Sequence, residues 1–296
     1  MKEILTRSIF GAIFLLYVFT PYYLDLVNNT NLFNIVLFTF SMFGTYECFQ
    51  MANNTPYKSK LLLPALLLNI ALFLPLLVET IKGLYPQVHS TSTWIAICNY
   101  DVLLIVWILF LVCALIFILL IFRKASIQTV FKFPLLLSLA YAMLPLFVLG
   151  VAMTQQDAAT KQLLLIILLP IYINDTLAYL TGKFFGKHKL IPSVSPKKTW
   201  EGFIGGMLGA ALVMIGLLAL NQTEYTTSKE FIGIAFISIA VSILATLGDL
   251  FESKLKRAAD VKDSGKVIPG HGGVLDRIDA MLFTAPILYV LLTTIL

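Results

Sequence analysis

Four carboxylates in the C-terminal part of the chain have the spacing of a paired cation site. Asp249 and Glu252 stand three residues apart, and so do Asp276 and Asp279, which places each pair on one face of a helix. The first pair lies at the end of one long apolar segment, and the second pair lies at the start of the next. Two carboxylate pairs at neighbouring helix ends would form a hard, oxygen-rich site suited to Mg²⁺. We therefore predict a metal site to which all four carboxylates are candidate ligands.

Cations and a glycine turn lie beside these carboxylates. Lys256, Arg257 and Arg277 add positive charge, and residues 269–273 read PGHGG. Glycine allows a compact turn whose backbone N–H groups approach an anion closely. Acidic ligands, cations and such a turn together indicate phosphate chemistry. In that chemistry the three cations neutralise phosphate, and His271 either donates to a phosphate or serves only the turn. The plain alternative is a charged loop between two membrane segments.

A second polar group begins inside an apolar segment. Asp175 lies well within the apolar residues 162–181, and Tyr179 follows one helical turn later. An ionisable residue at that depth is expensive and usually faces a polar cavity or a partner. Asp175 is therefore a further candidate metal ligand. A buried pair with a basic residue, formed for packing alone, is the alternative.

The loop that follows, residues 182–202, mixes hydroxyls, cations and a rigid turn. Lys197 and Lys198 are predicted to neutralise phosphate, next to the turn at Pro196. Trp200 either anchors the loop at the membrane interface, the commoner role, or stacks on a base. A patch that binds anionic lipid head groups is the alternative for the whole loop, although such a patch needs only Lys and Arg. The candidate substrate-binding residues are Ser193, Ser195, Thr199, Trp200, Glu201, Gly272 and Gly273.

The composition is that of a membrane protein. Of the 296 residues, 59% are hydrophobic and only 12% are charged, whereas soluble domains carry about 25% charged residues. Crossing a bilayer takes about 20 apolar residues, and in lipid such a segment must be helical to satisfy its backbone. We therefore predict an all-α polytopic membrane protein with about nine transmembrane helices. The nine apolar segments are about 8–27, 32–52, 61–78, 102–122, 133–153, 162–181, 203–220, 231–251 and 278–296.

The distribution of positive charge predicts the orientation of these segments. With the N-terminus inside, 18 of the 21 Lys and Arg residues fall on the cytoplasmic side. This places the N-terminus in the cytoplasm, the C-terminus outside and both large polar loops in the cytoplasm. Because the unusual polar residues lie in the last four segments, we predict a membrane scaffold at 1–160 and a catalytic membrane domain at 161–296.

Small residues within the segments carry weaker predictions. Gly205 and Gly209 stand four residues apart, a spacing that lets another helix approach closely, although both glycines are also readily explained as small filler. Cys48, Cys98 and Cys113 are scattered and form no CxxC pair. We predict that they are apolar fillers rather than disulfides or metal ligands.

Two sequence blocks resemble a known enzyme family. The first comprises Ser253-Lys254-Leu255-Lys256-Arg257, Lys262-Asp263 and the run HGGVLDRID at 271–279. It is similar to the signature of phosphatidate cytidylyltransferases, also called CDP-diglyceride synthases. The second block, SPKKTWEG at 195–202, resembles another stretch shared by that family. The likeness covers roughly residues 170–296, and the remaining segments match only in general character.

The resemblance implies a reaction and its partners. The family converts CTP and phosphatidate to CDP-diacylglycerol and pyrophosphate in phospholipid biosynthesis, with Mg²⁺ required and K⁺ as a candidate companion ion. The family's metal-binding acidic residues match Asp249 and Asp276. The expected partners are CTP, phosphatidate and membrane lipid, with no nucleic acid and with a homodimer left open. The expected location is the bacterial cytoplasmic (inner) membrane.

Other functions remain open beside this one. A CTP-dependent lipid kinase or a cytidylyltransferase for another lipid would use the same kind of site. The CDP-alcohol phosphotransferase motif DGxxAR, followed by GxxxDxxxD, is absent from the sequence. A transporter with Asp175 on its pathway is a non-enzymatic alternative. Transporters often show paired halves with matching interrupted helices, whereas the polar residues here are confined to one half.

Overall fold

The computed structural model describes residues 2–28, 30–84, 100–123, 127–155, 158–220 and 228–294. Within these ranges the chain forms nine long helices, each of which overlaps one predicted apolar segment. A small antiparallel hairpin, which the prediction of an all-helical chain missed, joins the sixth helix to the seventh. The helices are α1 (Lys2–Asn28), α2 (Phe33–Asn53), α3 (Leu62–Leu84), α4 (Tyr100–Phe122), α5 (134–155), α6 (Ala158–Phe185), α7 (Trp200–Leu220), α8 (Ser228–Ala258) and α9 (Leu275–Thr294), and the strands are β1 (Lys189–Ile191) and β2 (Ser195–Thr199).

Several of these helices have the length and composition of membrane spans. Among the described residues, five segments are long and apolar enough to cross a bilayer. Together with the helical architecture, they make the chain an all-α integral membrane protein apart from its hairpin. Nine crossings and the orientation of the termini stay predictions. The five segments are Ser8–Asn28, Leu62–Leu84, Pro134–Thr154, Trp200–Leu217 and Phe231–Ala258.

Helix α5 lies at the centre of the helical assembly. Its apolar segment is 78% buried, whereas that of α1 is only 11% buried and exposes large side chains such as Ile13 and Leu16. In a membrane those exposed apolar side chains face lipid, which leaves the helices around α5 to form the protein core. A π-helical turn at Leu139–Met143 interrupts α5, with α-helical turns at Pro134–Ser138 and Leu144–Gln155 on either side.

An aromatic cluster fixes α8 against the core. Phe251 of α8 stacks on Phe117 of α4 with ring centroids 4.4 Å apart. Tyr141 of α5 and Phe283 of α9 pack against Phe251 at 5.1 Å and 5.8 Å. Aromatic pairs at these distances add to the free energy gained by burial. Because Phe251 lies between Asp249 and Glu252 in sequence, this cluster sets the position of both carboxylates.

Glycines bring α6 and α7 into close contact. A Cβ atom at Gly205 would lie 2.6 Å from the Thr181 hydroxyl oxygen, and one at Gly209 would lie 2.4 Å from Leu177 Cδ1. Both distances are shorter than van der Waals contact, so the packing depends on the missing side chains. The prediction of close helix approach at this spacing is confirmed. The close packing of α6 against α7 keeps the intervening hairpin over the ends of both helices.

Two of the three cysteines lie among the described residues. Cys48 is buried and Cys113 is half-buried, and both are free thiols. The third predicted filler, Cys98, lies outside the described residues.

Candidate active site

A cavity of about 400 Å³ brings Asp249 together with the second predicted group of polar residues. It opens between α6, the hairpin, α7 and α8. Asp175 comes from α6, Lys197 and Lys198 from β2, and Asp249 from α8. Residues that are 74 positions apart in the sequence therefore share one cavity, because α6, α7 and α8 pack side by side. Carboxylates and lysines that face one space can bind a cation and an anion together.

Lys198 and Asp249 form the central contact of this cavity. The Lys198 Nζ lies 2.5 Å from the Asp249 carboxylate, and the side chains are 27% and 35% exposed. Among the described residues, no Lys or Arg lies within 4.0 Å of the Asp175 carboxylate, which is exposed toward the cavity. Its neighbour Asn174 is buried and places its side-chain amide 3.5 Å from Asp175 and 3.4 Å from the Thr246 hydroxyl. The structure thus gives Asp175 a polar cavity rather than a basic packing partner.

Asp276 lies outside this cavity, in a second cluster centred on Lys256. The Lys256 Nζ donates to Glu252 at 2.7 Å and to Asp276 at 2.6 Å. Asp276 also accepts hydrogen bonds from the backbone N–H groups of Gly273 at 2.8 Å and of Ser264 at 3.0 Å. Asp276 lies in the first turn of α9, ahead of its apolar part. Burial opposes its ionisation, but the contact with Lys256 and the backbone hydrogen bonds outweigh burial and lower the pKa of Asp276.

Glu252 and Asp279 lie between the cavity at Asp249 and the cluster centred on Lys256. Glu252 is fully buried, and its Oε1 accepts no hydrogen bond from the described residues. Asp279 lies close enough to interact electrostatically with both Asp249 and Glu252. These carboxylates run from the cavity toward Lys256 along the interface of α8 and α9. Lys256, Glu252, Asp276 and Asp279 therefore lie beside the cavity rather than in it.

The carboxylate oxygens are hard donors of the kind that Mg²⁺ prefers. The buried Oε1 of Glu252 has no hydrogen-bond donor among the described residues, which leaves it able to bind a cation. Among the described residues, however, no three His, Cys, Asp or Glu side chains converge as a metal site. Asp249 and Asp276 each pair with a lysine instead, so their sharing of one cation stays a prediction.

Two of the predicted substrate-binding residues, Thr199 and Glu201, make contacts between the hairpin region and the start of α7. The Thr199 hydroxyl accepts a hydrogen bond from the Gly202 N–H at 3.1 Å, which caps the start of α7. Glu201 accepts from the backbone N–H groups of Lys187 and His188 and contacts the His188 ring at 2.6 Å. Thr199 lines the cavity, whereas Ser193, Ser195, Trp200 and Glu201 do not. Their contacts with substrate stay predictions.

The glycine turn approaches anions that belong to the protein. Gly272 has φ +86°, and a Cβ atom there would lie 2.7 Å from Asp276 Oδ2. The Gly273 N–H donates to Asp276, so this donor is already engaged. Because these glycines lack side chains, the backbone of the turn comes close enough to bind the Asp276 carboxylate. Substrate contacts of Gly272 and Gly273 stay predictions.

The other predicted cations lie at the edge of the second cluster. Arg277 is exposed and donates to the His271 backbone carbonyl. Arg257 is exposed at the end of α8. The His271 ring lies near Gly11 of α1, and its buried Nδ1 has no partner among the described residues. Both roles of His271 stay predictions.

A second, more open cavity of about 720 Å³ lies on the other side of this cluster. It is formed by the end of α2 and the loop after α8, and Ser264, Lys262 and Lys266 line it. The loop that carries Ser264 therefore lies between this cavity and the carboxylates.

Sequence reasoning missed Glu47 of α2. This side chain is fully buried and accepts hydrogen bonds from the backbone N–H groups of Val274 and Leu275, at 2.8 Å and 2.9 Å. The Ser264 hydroxyl donates to it at 2.8 Å. A usable signal was present, because Glu47 is an ionisable residue inside an apolar segment, as Asp175 is.

Comparison with known proteins connects this arrangement to one family. The chain matches the sequence profile of the cytidylyltransferase family over residues 3–295. It is 44% identical over 133 residues to the phosphatidate cytidylyltransferase of Thermotoga maritima, covering 43% of this chain and 47% of that protein. It is 40% identical over 162 residues to that of Haemophilus influenzae, covering 52% and 56%. It is 46% identical over 122 residues to that of Bacillus subtilis, covering 41% and 44%. The chain thus spans about half the length of the curated relatives it matches.

Proposed function

Since this chain belongs to the cytidylyltransferase family, we propose that it transfers the cytidylyl group of CTP to phosphatidate. The products are CDP-diacylglycerol and pyrophosphate. The observation that carries the proposal is the contact between Lys198 and Asp249 in a cavity that Lys197 and Asp175 also line. That cavity combines the charges that a reaction between two anions requires.

The reaction itself needs charge stabilisation more than it needs a base. An oxygen of the phosphatidate phosphate attacks the α-phosphorus of CTP, a new P–O bond forms, and the bond to the β-phosphate oxygen breaks. The attacking phosphate is already anionic, so no strong base has to remove a proton. The barrier comes from bringing two anions together and from charge that builds on the leaving pyrophosphate. Lys197 and Lys198 are placed to offset both.

Lys198 holds Asp249 when no phosphate is bound. Because this pair is partly exposed, its net contribution to stability is small, about 0–1 kcal/mol. A phosphate can therefore replace the carboxylate at Lys198 with little loss of stability. The exchange releases Asp249 at the moment when an anion enters the cavity.

Mg²⁺ is the cofactor that we propose for this site. Asp249 and Asp276 are the proposed main ligands, with Glu252, Asp279 and Asp175 in support, and K⁺ is the candidate companion ion. When bound, a divalent cation offsets phosphate charge and stabilises the leaving pyrophosphate. The hard oxygen donors and the unpartnered Glu252 Oε1 support this choice.

The lipid substrate fits the outer side of the same cavity. Leu190 and Phe203 line it with apolar surface, and Tyr179 of α6 is largely exposed at its edge. We propose that phosphatidate enters laterally from the membrane at the side of the cavity where Leu190, Phe203 and Tyr179 lie, while CTP arrives from water. The head group then reaches the lysines without leaving the lipid layer.

We also propose that all nine helices cross the bacterial cytoplasmic membrane, with the N-terminus inside and the C-terminus outside. The overlap of the nine helices with the apolar segments and the asymmetry of Lys and Arg support this topology. In this proposal residues 1–160 form the scaffold and residues 161–296 the catalytic domain.

A homodimer stays a prediction, which crosslinking of the purified protein would test.

Labelled CTP tests the reaction directly. Purified protein is incubated with phosphatidate and Mg²⁺, and with CTP labelled at the α- or the γ-phosphate. Cytidylyl transfer puts only the α-label into the lipid phase. Transfer of the γ-label alone would show a CTP-dependent kinase instead, and neither label in lipid would refute the proposed function.

Lysine variants connect that activity to the cavity. Lys198→Ala is expected to lower turnover roughly 10²-fold, the usual loss when one stabilising donor is removed. Lys198→Arg restores part of it, because charge is kept while the geometry differs. Lys132→Ala is the matched control, since Lys132 is exposed and does not line the cavity. Full turnover in a Lys197→Ala/Lys198→Ala variant would remove the hairpin from the mechanism.

A further inference from the structure

Glu47 is a buried carboxylate that the proposed mechanism does not use. It lies in α2, and its partners Ser264, Val274 and Leu275 are 217, 227 and 228 positions away in the sequence. A buried carboxylate is costly unless hydrogen bonds compensate it. Both Glu47 oxygens accept hydrogen bonds, so Glu47 is satisfied only when α2 and this loop lie together.

The same loop holds Asp276 on its other side. The Ser264 hydroxyl lies 2.8 Å from Glu47 Oε2 and 3.1 Å from Asp276 Oδ2. A hydroxyl has one hydrogen to donate, so the shorter contact with Glu47 fixes its direction. The Ser264 N–H is left to donate to Asp276, and the Gly273 N–H does the same. Glu47 and Asp276 therefore hold one loop from opposite sides.

The loop fits around Glu47 only because two of its residues lack side chains. A Cβ atom at Gly265 would lie 2.5 Å from Glu47 Oε1, and one at Gly273 would lie 2.5 Å from Oε2. Contacts this short do not occur between real Cβ atoms and oxygens. The loop therefore has little freedom to shift while Glu47 is in place.

We propose that Glu47 is a positioning residue for the reaction. It holds the loop from Ser264 to Leu275 so that Asp276 keeps its contact with Lys256. The inference rests on the proposed function, and it extends the working site to a helix from the N-terminal half of the chain. Glu47 touches no reacting atom and acts through Ser264 and Asp276.

The chain contains a closely matched control in Asp25. This carboxylate is also buried, and it accepts hydrogen bonds from the Thr30 hydroxyl and from the backbone N–H groups of Leu32 and Phe33 at the start of α2. Asp25 and Glu47 thus each hold one hydroxyl and two N–H groups at a helix start. Of these two carboxylates, Glu47 alone contacts the loop that holds Asp276.

The test compares Glu47→Gln with Asp25→Asn in the full chain. Each change removes the charge and leaves one oxygen acceptor, so both variants are expected to lose thermal stability. Only Glu47→Gln is expected to lower kcat/KM for CTP, by about 10–100-fold, the range for residues that orient metal ligands. Turnover is measured at a temperature at which both variants are folded. A normal kcat/KM in Glu47→Gln, with a lower melting temperature, would refute positioning and leave an anchor for stability.

Two further measurements cover the remaining outcomes. If Glu47→Gln does not fold, Ser264→Ala takes its place, and normal kcat/KM in that variant would equally refute the proposal. Amide hydrogen exchange of residues 264–276 is expected to rise in Glu47→Gln and to stay unchanged in Asp25→Asn. If the wild-type chain transfers no label from CTP, the proposed function fails, and the exchange measurement then decides alone whether Glu47 holds the loop.

Discussion

Replacing Lys256 should cost far more stability than replacing Lys198. The Lys256 side chain is only 14% exposed and contacts two carboxylates, those of Glu252 and Asp276. Asp276 keeps its backbone hydrogen bonds when Lys256 is lost, whereas Glu252 is 1% exposed and would keep no partner at Oε2. A Lys256→Met change therefore leaves the buried Glu252 carboxylate beside Asp279 without a basic partner.

The expected magnitude follows from that burial. Breaking a buried pair by removing one partner costs about 3–5 kcal/mol of stability, because the remaining charge is uncompensated. Lys198 and Asp249 are 27% and 35% exposed, and removing such a pair costs about 0–1 kcal/mol. Lys256→Met should thus be several kcal/mol less stable than wild type, while Lys198→Met should remain near it. Both variants should lose turnover.

The assay is reversible unfolding in mixed micelles with increasing denaturing detergent, with turnover measured on the folded protein. A second change, Glu252→Gln, removes the stranded charge and should restore at least half of the stability lost in Lys256→Met. Equal loss of stability in Lys256→Met and Lys198→Met would refute the reasoning from burial. Failure of Glu252→Gln to restore any stability would show that the loss comes from another contact.

Three other predictions concern packing, metal binding and topology. Gly209→Leu should destabilise the protein by about 1–3 kcal/mol, because a side chain there overlaps Leu177, and Leu177→Ala should recover part of that loss in an unfolding titration. Asp249→Asn and Asp276→Asn should each abolish Mg²⁺-dependent turnover in folded protein, with the double variant little worse than either, as for residues that act as a unit. Near-normal turnover in either single variant would contradict a shared cation. Reporter fusions should place the N-terminus in the cytoplasm and the C-terminus outside, and signals from one side only would contradict nine crossings.

The participation of α2 changes how the N-terminal half is viewed. The predicted division treats residues 1–160 as a scaffold, and that division stays a prediction. Glu47 nevertheless reaches across the fold to the loop of the signature sequence. A scaffold helix that holds a catalytic loop links changes in the N-terminal half to turnover. Variants in α2 are therefore worth measuring for activity as well as for expression.

The sequence by itself determined where the helices lie and which residues are candidates for chemistry. A long apolar segment must become a helix in lipid, since no water is present to form hydrogen bonds with its backbone. Each helix can therefore be predicted from its own residues. Carboxylates and lysines inside or beside such segments stand out because burying their charge is expensive. The same reasoning identified Asp175, Lys198 and Asp249, which the structure brings to one cavity.

Only the tertiary structure decided which charges meet. Asp249 and Asp276 have equivalent places at the ends of apolar segments, yet α8 continues past Asp249 to Ala258, and each carboxylate is held by a different lysine. The glycine turn was predicted to receive an anion, and the N–H groups of Gly273 and of the next residue, Val274, hold Asp276 and Glu47 of the same chain. Such pairings depend on how helices far apart in sequence pack, because a hydrogen bond requires atoms within about 3 Å. Apolar spacing determines each helix separately, and it contains no information about that packing.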